Sequence, residues 1–441
     1  MKIAYITAGA AGMYCGSCLH DNTLVAALIA QDHDALLIPT YTPIRTDEID
    51  VSQRRVFFGG INVFLQQRLP FFRHTPWLLD NLLDSRGLLR FASRFAAKTQ
   101  AEDLGELTIS MLKGEHGHQR KEVAKLVRWL STEVCPEIIN LTNVLLSGMV
   151  HELKRHVPVP ILATLQGDDI FLEALPEPYR REALALIRDH CRAIDGFLAT
   201  SRDYADFIAE YFAIPTNKID VVYPGLNLQG HREEPSGVGR GAWGDSVHTP
   251  RSDFRIGYFA RICPEKGLHL LVEAFRILKQ TPGAPACRLM VSGWLGQNNQ
   301  LYFADLRKQI HDWGFADQFD YVESPDLAGK VRFLRMLDVL SVPATYREPK
   351  GLYVLEALAN GVPVVQPRIG SFPELVEQTG GGLLVNPLDP EDLARGLRQL
   401  LEDPARREEL GRRGRQAVHQ DFHAAKMAEK TAAIYRKYLH A

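Results

Sequence analysis

Residues 346–365 read YREPKGLYVLEALANGVPVV, and the order of residue types in them decides the architecture. Pro349 and Gly351 interrupt regular structure, Leu352–Asn360 carries a helical apolar period, and Val362–Gln366 is a short β-branched run. Loop, helix and buried strand in that order form one repeat of a parallel sheet covered by helices. Glu348 falls in the loop and Glu356 on the first or second turn of the helix. Carboxylates accept hydrogen bonds from vicinal hydroxyls, and N–H groups exposed at a helix start, here those of Gly351 and Leu352, suit phosphate or sugar oxygens. One pocket could read a pyranose and a ribose in this way. An isolated pair of glutamates is more often the ordinary charge of a solvated helix.

The same rhythm runs outward in both directions. In the second half Phe254–Phe259 precedes a helix near Gly267–Thr281, Arg288–Ser292 precedes Gln300–Gly314, Phe319–Val322 precedes Gly329–Leu337, and Val339–Val342 precedes the helix already described. Val362–Gln366 then leads into Phe372–Gln378. In the first half, strand-like runs fall at Lys2–Thr7, Ala35–Pro39, Glu137–Asn140, Ile161–Leu165, Gly196–Thr200 and Ile219–Val222. An α/β chain of two Rossmann-like halves is expected, over residues 1–226 and 254–415. The segment 227–253, NLQGHREEPSGVGRGAWGDSVHTPRSD, has the Gly, Pro, Ser and charge content of a flexible linker. Residues 416–441 read as a terminal helix able to pack back across the domain junction.

Composition narrows the function. A chain of 441 residues is comfortable for two cores, and 46% hydrophobic with 24% charged residues is ordinary for a globular protein. The net charge of −2, without a dense Lys/Arg block, lacks the footprint of a nucleic-acid binder. The opening MKIAYITAGAAG reads as a first strand rather than a signal peptide. No run approaches the roughly 20 apolar residues of a membrane span, and six scattered cysteines suit a reducing cytoplasm. Cys15-Gly-Ser-Cys18 invites a redox or metal reading. His20 alone does not complete a zinc set, and two small residues in a tight strand-to-helix turn are the simpler reading.

The stretch EPKGLYVLEALANGVPVV resembles the signature of family 4 of the retaining glycosyltransferases, which have the GT-B fold: two Rossmann-like doubly wound domains facing a central cleft. The resemblance extends to IGYFARICPEKGLHLLVEAF (residues 256–275), LMVSGWLG (289–296), IGSFPELVEQTGGGLLV (369–385) and, at the end of the first half, VVYPGLN (221–227). It implies that Arg261 and Lys266 neutralise the diphosphate of a sugar nucleotide, that Glu356 binds the ribose hydroxyls, and that Glu348 contacts the transferred sugar. Two fixed cations can stabilise a leaving nucleoside diphosphate without a metal. Hence no metal and no cofactor are expected, the sugar nucleotide being a co-substrate. UDP-glucose is the donor most frequent in such a family, and the acceptor is an unidentified hydroxyl on a sugar, a small molecule or a lipid-linked molecule.

TAGAAGMYCGSCLHDNTLVAAL, residues 7–28, is similar to the family's first strand-turn-helix, where Gly12 and Gly16 would let the backbone approach the donor. The family's histidine at the end of a mid-domain strand is replaced here, since ATLQGDDIF has Gln166 in that position. Glutamine cannot carry charge, yet its amide can bind a sugar hydroxyl. Asp168 is either an acceptor-orienting carboxylate or a helix cap, and Asp168-Asp169 is a weak cation motif. Residues 64–100 place Arg86, Arg90, Arg94 and Lys98 at helical spacing. That basic stripe (86–98) suits a solvated face, or contact with the inner face of a membrane or with a phosphorylated acceptor. A non-catalytic GT-B subunit that binds sugar nucleotide for a partner enzyme is the competing reading, kept alive by Gln166. A phosphorylase-like enzyme would need a pyridoxal-phosphate lysine in its own context, which is not seen.

Overall fold

The computed structural model of the chain describes residues 1–9, 15–53, 56–57, 101–232, 253–283, 286–324 and 326–440. These form two compact units, Met1–Gly225 with Ala424–Ala441, and Leu226–His423. Most of the expected linker, 233–252, and the basic stripe 86–98 lie outside the described residues.

In the first unit β1 (Lys2–Thr7), β2 (Asp34–Pro39), β3 (Ile138–Leu141), β4 (Ile161–Leu165), β5 (Gly196–Ala199) and β6 (Ile219–Val221) make a parallel sheet in the order β2-β1-β3-β4-β5-β6. Both faces are covered, which is why these strands read as near-continuous apolar runs. Along β1, Ala4 and Ile6 join one apolar cluster, with Ile139, Leu141 and Phe197. Ile3 and Tyr5 join another on the opposite face, with Leu37, Ile138 and Leu162. Met427, Ala428, Ala432 and Tyr435 of the last helix, Ala424–Leu439, belong to that second cluster.

In the second unit β7 (Phe254–Phe259), β8 (Cys287–Ser292), β9 (Phe319–Tyr321), β10 (Val339–Leu340), β11 (Val364–Pro367) and β12 (Gly382–Val385) are ordered β12-β11-β10-β7-β8-β9. Counted within the unit this is the doubly wound order, and the winding reverses between β7 and β10. Ligands of such sheets bind beyond the carboxyl ends of the strands at that reversal. In the first unit the corresponding point lies between β1 and β3.

Three details depart from the sequence reading. β10 is shorter than Val339–Val342: the N–H of Ser341 still donates to the Gly257 carbonyl at 2.9 Å, but that of Val342 turns to the side-chain oxygen of Gln366 at 3.3 Å. β12 was not expected within the glycine-rich TGGGLLV, yet Gly382–Val385 pair in register with Val364–Pro367. The terminal segment is two helices rather than one: Pro404–Asp421 ends before Phe422 and belongs to the second unit, and Ala424–Leu439 belongs to the first. Among the described residues no helix is long and apolar enough to cross a membrane.

Candidate active site

At the reversal point of the second unit two loops meet. After β7 the chain passes Arg261 and enters a single 3-10 turn, Pro264–Lys266, then the helix Leu268–Gln280. Gly267 joins turn and helix with φ of +71°, and a Cβ there would stand 1.9 Å from the carbonyl oxygen of Pro343. Only glycine lets the Lys266 loop lie this close to the loop that follows β10. The backbone N–H of Thr345 donates to the carbonyl of Glu265 at 2.9 Å, tying the loops together and bringing Lys266 to Glu348.

Lys266 and Glu348 are both buried. Lys266 Nζ donates to Glu348 Oε2 at 2.5 Å, and lies 2.5 Å from the Tyr346 hydroxyl. The hydroxyls of Tyr346 and Tyr353 also donate to Oε2, at 2.7 and 3.1 Å. The Tyr353 ring centroid stands 5.0 Å from the ammonium, at cation–π range, whereas Tyr346 meets it edge-on through its hydroxyl. Burial alone would raise the Glu348 carboxyl, but the Lys266 charge and hydrogen bond, the Tyr346 hydroxyl and the Lys350 charge outweigh it and bring the pKa down to about 2. Burial, followed by the charge of Glu348, pushes both phenols well above their ordinary value. Glu348 is therefore a fixed anion, an acceptor only. Its Oε1 meets the backbone N–H of Lys350 and Gly351 at 3.4 Å each, near the far limit of a hydrogen bond, and so keeps acceptor capacity. From behind, Ser371 N–H donates to the Glu348 carbonyl at 2.8 Å.

Gly351 caps the helix Leu352–Ala359, and Tyr353 through Ala359 are all buried. Glu356 is thus no solvated surface charge: it is 4% exposed, and Lys330 Nζ, itself buried, donates to its Oε1 at 2.6 Å. Arg261 is exposed at the mouth of the first loop, its carbonyl accepting from the Tyr258 hydroxyl at 2.9 Å. Five of the sequence-derived residues, Lys266, Glu348, Gly351, Leu352 and Glu356, thus belong to one helix start and the two loops before it.

The first unit holds a second polar cluster at the ends of β1, β3 and β4. Gln166 Nε2 donates to the carbonyl of Thr142 at 2.9 Å and to Asp21 Oδ1 at 3.1 Å. Both partners are obligate acceptors, which fixes the orientation of the amide. Asp21 is fully buried and also accepts from the hydroxyls of Tyr5, Thr7 and Thr142 at 2.9, 2.8 and 2.5 Å. Asp168 accepts from the N–H of Val144 at 2.8 Å and of Gln166 at 3.0 Å, one loop to each oxygen. Burial raises its pKa to about 6 despite those bonds. Asp169 accepts from the Tyr204 hydroxyl at 2.6 Å. Gly16 is exposed at the start of the helix Gly16–Ile29, and Gly12 lies outside the described residues. Among the described residues no group of three His, Cys, Asp or Glu is placed to hold a metal ion.

Sequence reasoning missed Lys330, Tyr346, Tyr353 and Asp21. Asp21 left a signal: His20, Asp21, Asn22 and Thr23 are consecutive in a helix, and four successive polar residues cannot all face solvent. Lys330 left none, since a lysine beside an apolar helix period is ordinary.

Residues 244–417 match the family described as Glycosyl transferases group 1, and residues 91–229 match Glycosyltransferase Family 4. The D-inositol 3-phosphate glycosyltransferase of Pseudarthrobacter chlorophenolicus is 30% identical over 311 residues, 69% of this chain and 68% of that protein. The glycogen synthase of Mycobacterium tuberculosis is 25% identical over 304 residues, 68% of each. Among solved structures, Anabaena Alr3699/HepE in complex with UDP-glucose matches with a TM-score of 0.65 at 18% identity, over 99% of each chain. The fold is that of the GT-B glycosyltransferases. The chain belongs to glycosyltransferase family 4.

Proposed function

We propose that this glycosyltransferase moves a hexosyl group, with retention of configuration, from a nucleoside diphosphate sugar to a hydroxyl acceptor, and does so without a metal ion or another cofactor. The observation that carries this reading is the buried Lys266–Glu348 pair between Tyr346 and Tyr353, at the reversal point of a doubly wound sheet. Lys266 and Arg261 supply fixed positive charge where the leaving diphosphate gains negative charge. The N–H groups of Gly351 and Leu352, at a helix start, receive phosphate or sugar oxygens.

Glu348, held ionised with its pKa near 2, accepts hydrogen bonds from hydroxyls of the transferred sugar through Oε1. A carboxyl that stays ionised at neutral pH cannot serve as the general acid. The same-face reaction, in which the leaving phosphate itself takes the acceptor proton, asks no proton transfer of it. Glu356, neutralised by Lys330, receives the ribose hydroxyls without leaving an uncompensated charge. Gln166 binds the donor sugar as a neutral hydrogen-bonding group, Asp168 orients the acceptor side, and Gly16 allows close backbone approach to the donor.

UDP-glucose, the ligand of the Anabaena protein, is the first donor to test. The two relatives differ in name, one for D-inositol 3-phosphate and one for glycogen, so neither supplies the acceptor. Thermal shift against UDP-, GDP-, ADP- and dTDP-sugars tests the donor site, since a ligand at a hundred times its dissociation constant adds about 2.7 kcal/mol. One nucleotide should stabilise the chain, and Lys266→Ala and Glu356→Ala should each weaken it. Unchanged binding in both variants would move the site elsewhere. Slow hydrolysis of the stabilising donor in the absence of acceptor would separate an enzyme from a binding subunit.

A further inference from the structure

The Cys15-Gly-Ser-Cys18 motif has no part in the chemistry above, and its geometry is specific. Cys15 is the N-cap of the helix Gly16–Ile29, with extended backbone (φ −120°, ψ 125°), and its carbonyl accepts the first helical bond from Leu19 N–H at 3.0 Å. Cys18 is the third residue of that helix and so lies on the same turn. With a rise of about 1.5 Å per residue on a radius of about 2.3 Å, the Cα atoms of helical residues three apart stand about 5 Å apart, inside the roughly 4.4–6.8 Å between Cα atoms that a disulfide spans. Cys18 belongs to the apolar cluster built on Ile3 and Tyr5, and Cys15 packs against the same cluster. Both thiols therefore project from one side of the helix. No disulfide joins them.

We propose that Cys15 and Cys18 are a dithiol pair that closes reversibly to a disulfide by exchange with a low-molecular-weight disulfide. Cys15 is half-buried and Cys18 is buried, which sets the order of events. The Cys15 thiolate attacks a sulfur of the small disulfide and expels one thiolate, leaving a mixed disulfide on Cys15. Cys18, deprotonated, then attacks Cys15 Sγ and expels the second. Two protein thiols are oxidised and one small disulfide is reduced to two thiols, so atoms and electrons balance. Gly16 and Ser17 between the two add little bulk. The pair sits one turn before Asp21, so its state acts on the turn that anchors the polar cluster under Gln166.

The test uses the full chain in its native state with excess oxidised glutathione, then acid quenching, alkylation and peptide mass mapping. Cys135, exposed on a different element, serves as the internal reference and should carry glutathione. The peptide with Cys15 and Cys18 should instead lose two hydrogens, carry no glutathione, and recover with dithiothreitol. Cys18→Ala should trap glutathione on Cys15, and Cys15→Ser should leave Cys18 unmodified. Stable glutathione on Cys15 of the unaltered chain would overturn the proposal, as would alkylation of both thiols after Cys135 is fully modified. None of these readouts depends on the donor or the acceptor.

Discussion

Replacing Lys266 with methionine keeps the length of the side chain and removes its charge, leaving Glu348 buried with two phenol donors and no bound ammonium. In the native chain Glu348 is depressed from 4.5 to about 2, a shift worth about 3 kcal/mol. A carboxyl depressed in the folded state stabilises the fold above its unfolded value, so this contribution is complete above pH 4.5 and is lost as pH falls through about 2. In Lys266→Met burial is opposed only by the phenol hydroxyls and the Lys350 charge, and the carboxyl rises. Breaking a buried pair from one side costs roughly 3–5 kcal/mol. The second unit should therefore lose on the order of a hundredfold or more in amide protection at pH 7. Hydrogen exchange of Leu352–Ala359, followed by mass spectrometry and corrected for intrinsic rates, reads this directly. The deficit should shrink at pH 3, where the native chain has begun to lose the same contribution. Adding Glu348→Gln to Lys266→Met should restore most of the protection, because no charge is then left unpaired. Native protection in Lys266→Met at pH 7, or an equal deficit at both pH values, would refute the reasoning.

Other substitutions probe neighbouring parts. Lys330→Met strands the buried Glu356 carboxylate and should lower stability by about 3 kcal/mol and weaken nucleotide binding, both measurable by calorimetry. At Gly370, φ is +61° and a Cβ would stand 2.5 Å from the backbone N and O of Glu348. Gly370→Ala should therefore weaken donor binding, whereas Gly380→Ala, with φ of +59° but only ordinary contact with Arg413, should show the left-handed backbone penalty of about 1–2 kcal/mol alone. Gln166→Glu puts a second carboxylate beside Asp21, where Nε2 now lies 3.1 Å from Oδ1. Its melting temperature should fall at pH 8, recover partly at pH 5, and recover at pH 8 when Asp21→Asn is added.

Much of the fold was legible because parallel strands buried on both faces announce themselves as apolar runs. β1, β4 and β7 have the bounds read from the sequence. β12 was not legible: Gly380, Gly381 and Gly382 in a row carry the local signal of a loop, and pairing with β11 begins only at the last of them. The site divides in the same way. Glu348 and Glu356 could be read as chemistry because their surrounding motif is local. Lys266 could be read in the same way, but its pairing with Glu348 across 82 positions could not, nor that of Lys330 with Glu356 across 26. Such partners depend on which loops a doubly wound sheet brings to one end. The Gln166 departure was visible, but the buried Asp21 that fixes its amide lies 145 positions away.

Release of nucleoside diphosphate from the panel of sugar nucleotides, followed with a chelator present for the native chain, Lys266→Ala, Glu348→Gln and Glu356→Ala, decides whether Lys266, Glu348 and Glu356 form the donor site of a metal-independent glycosyltransferase. The expected result is slow cleavage of one donor by the native chain, unaffected by the chelator, and its loss in the three variants. Cleavage that the chelator abolishes, or that survives all three substitutions, would contradict the account.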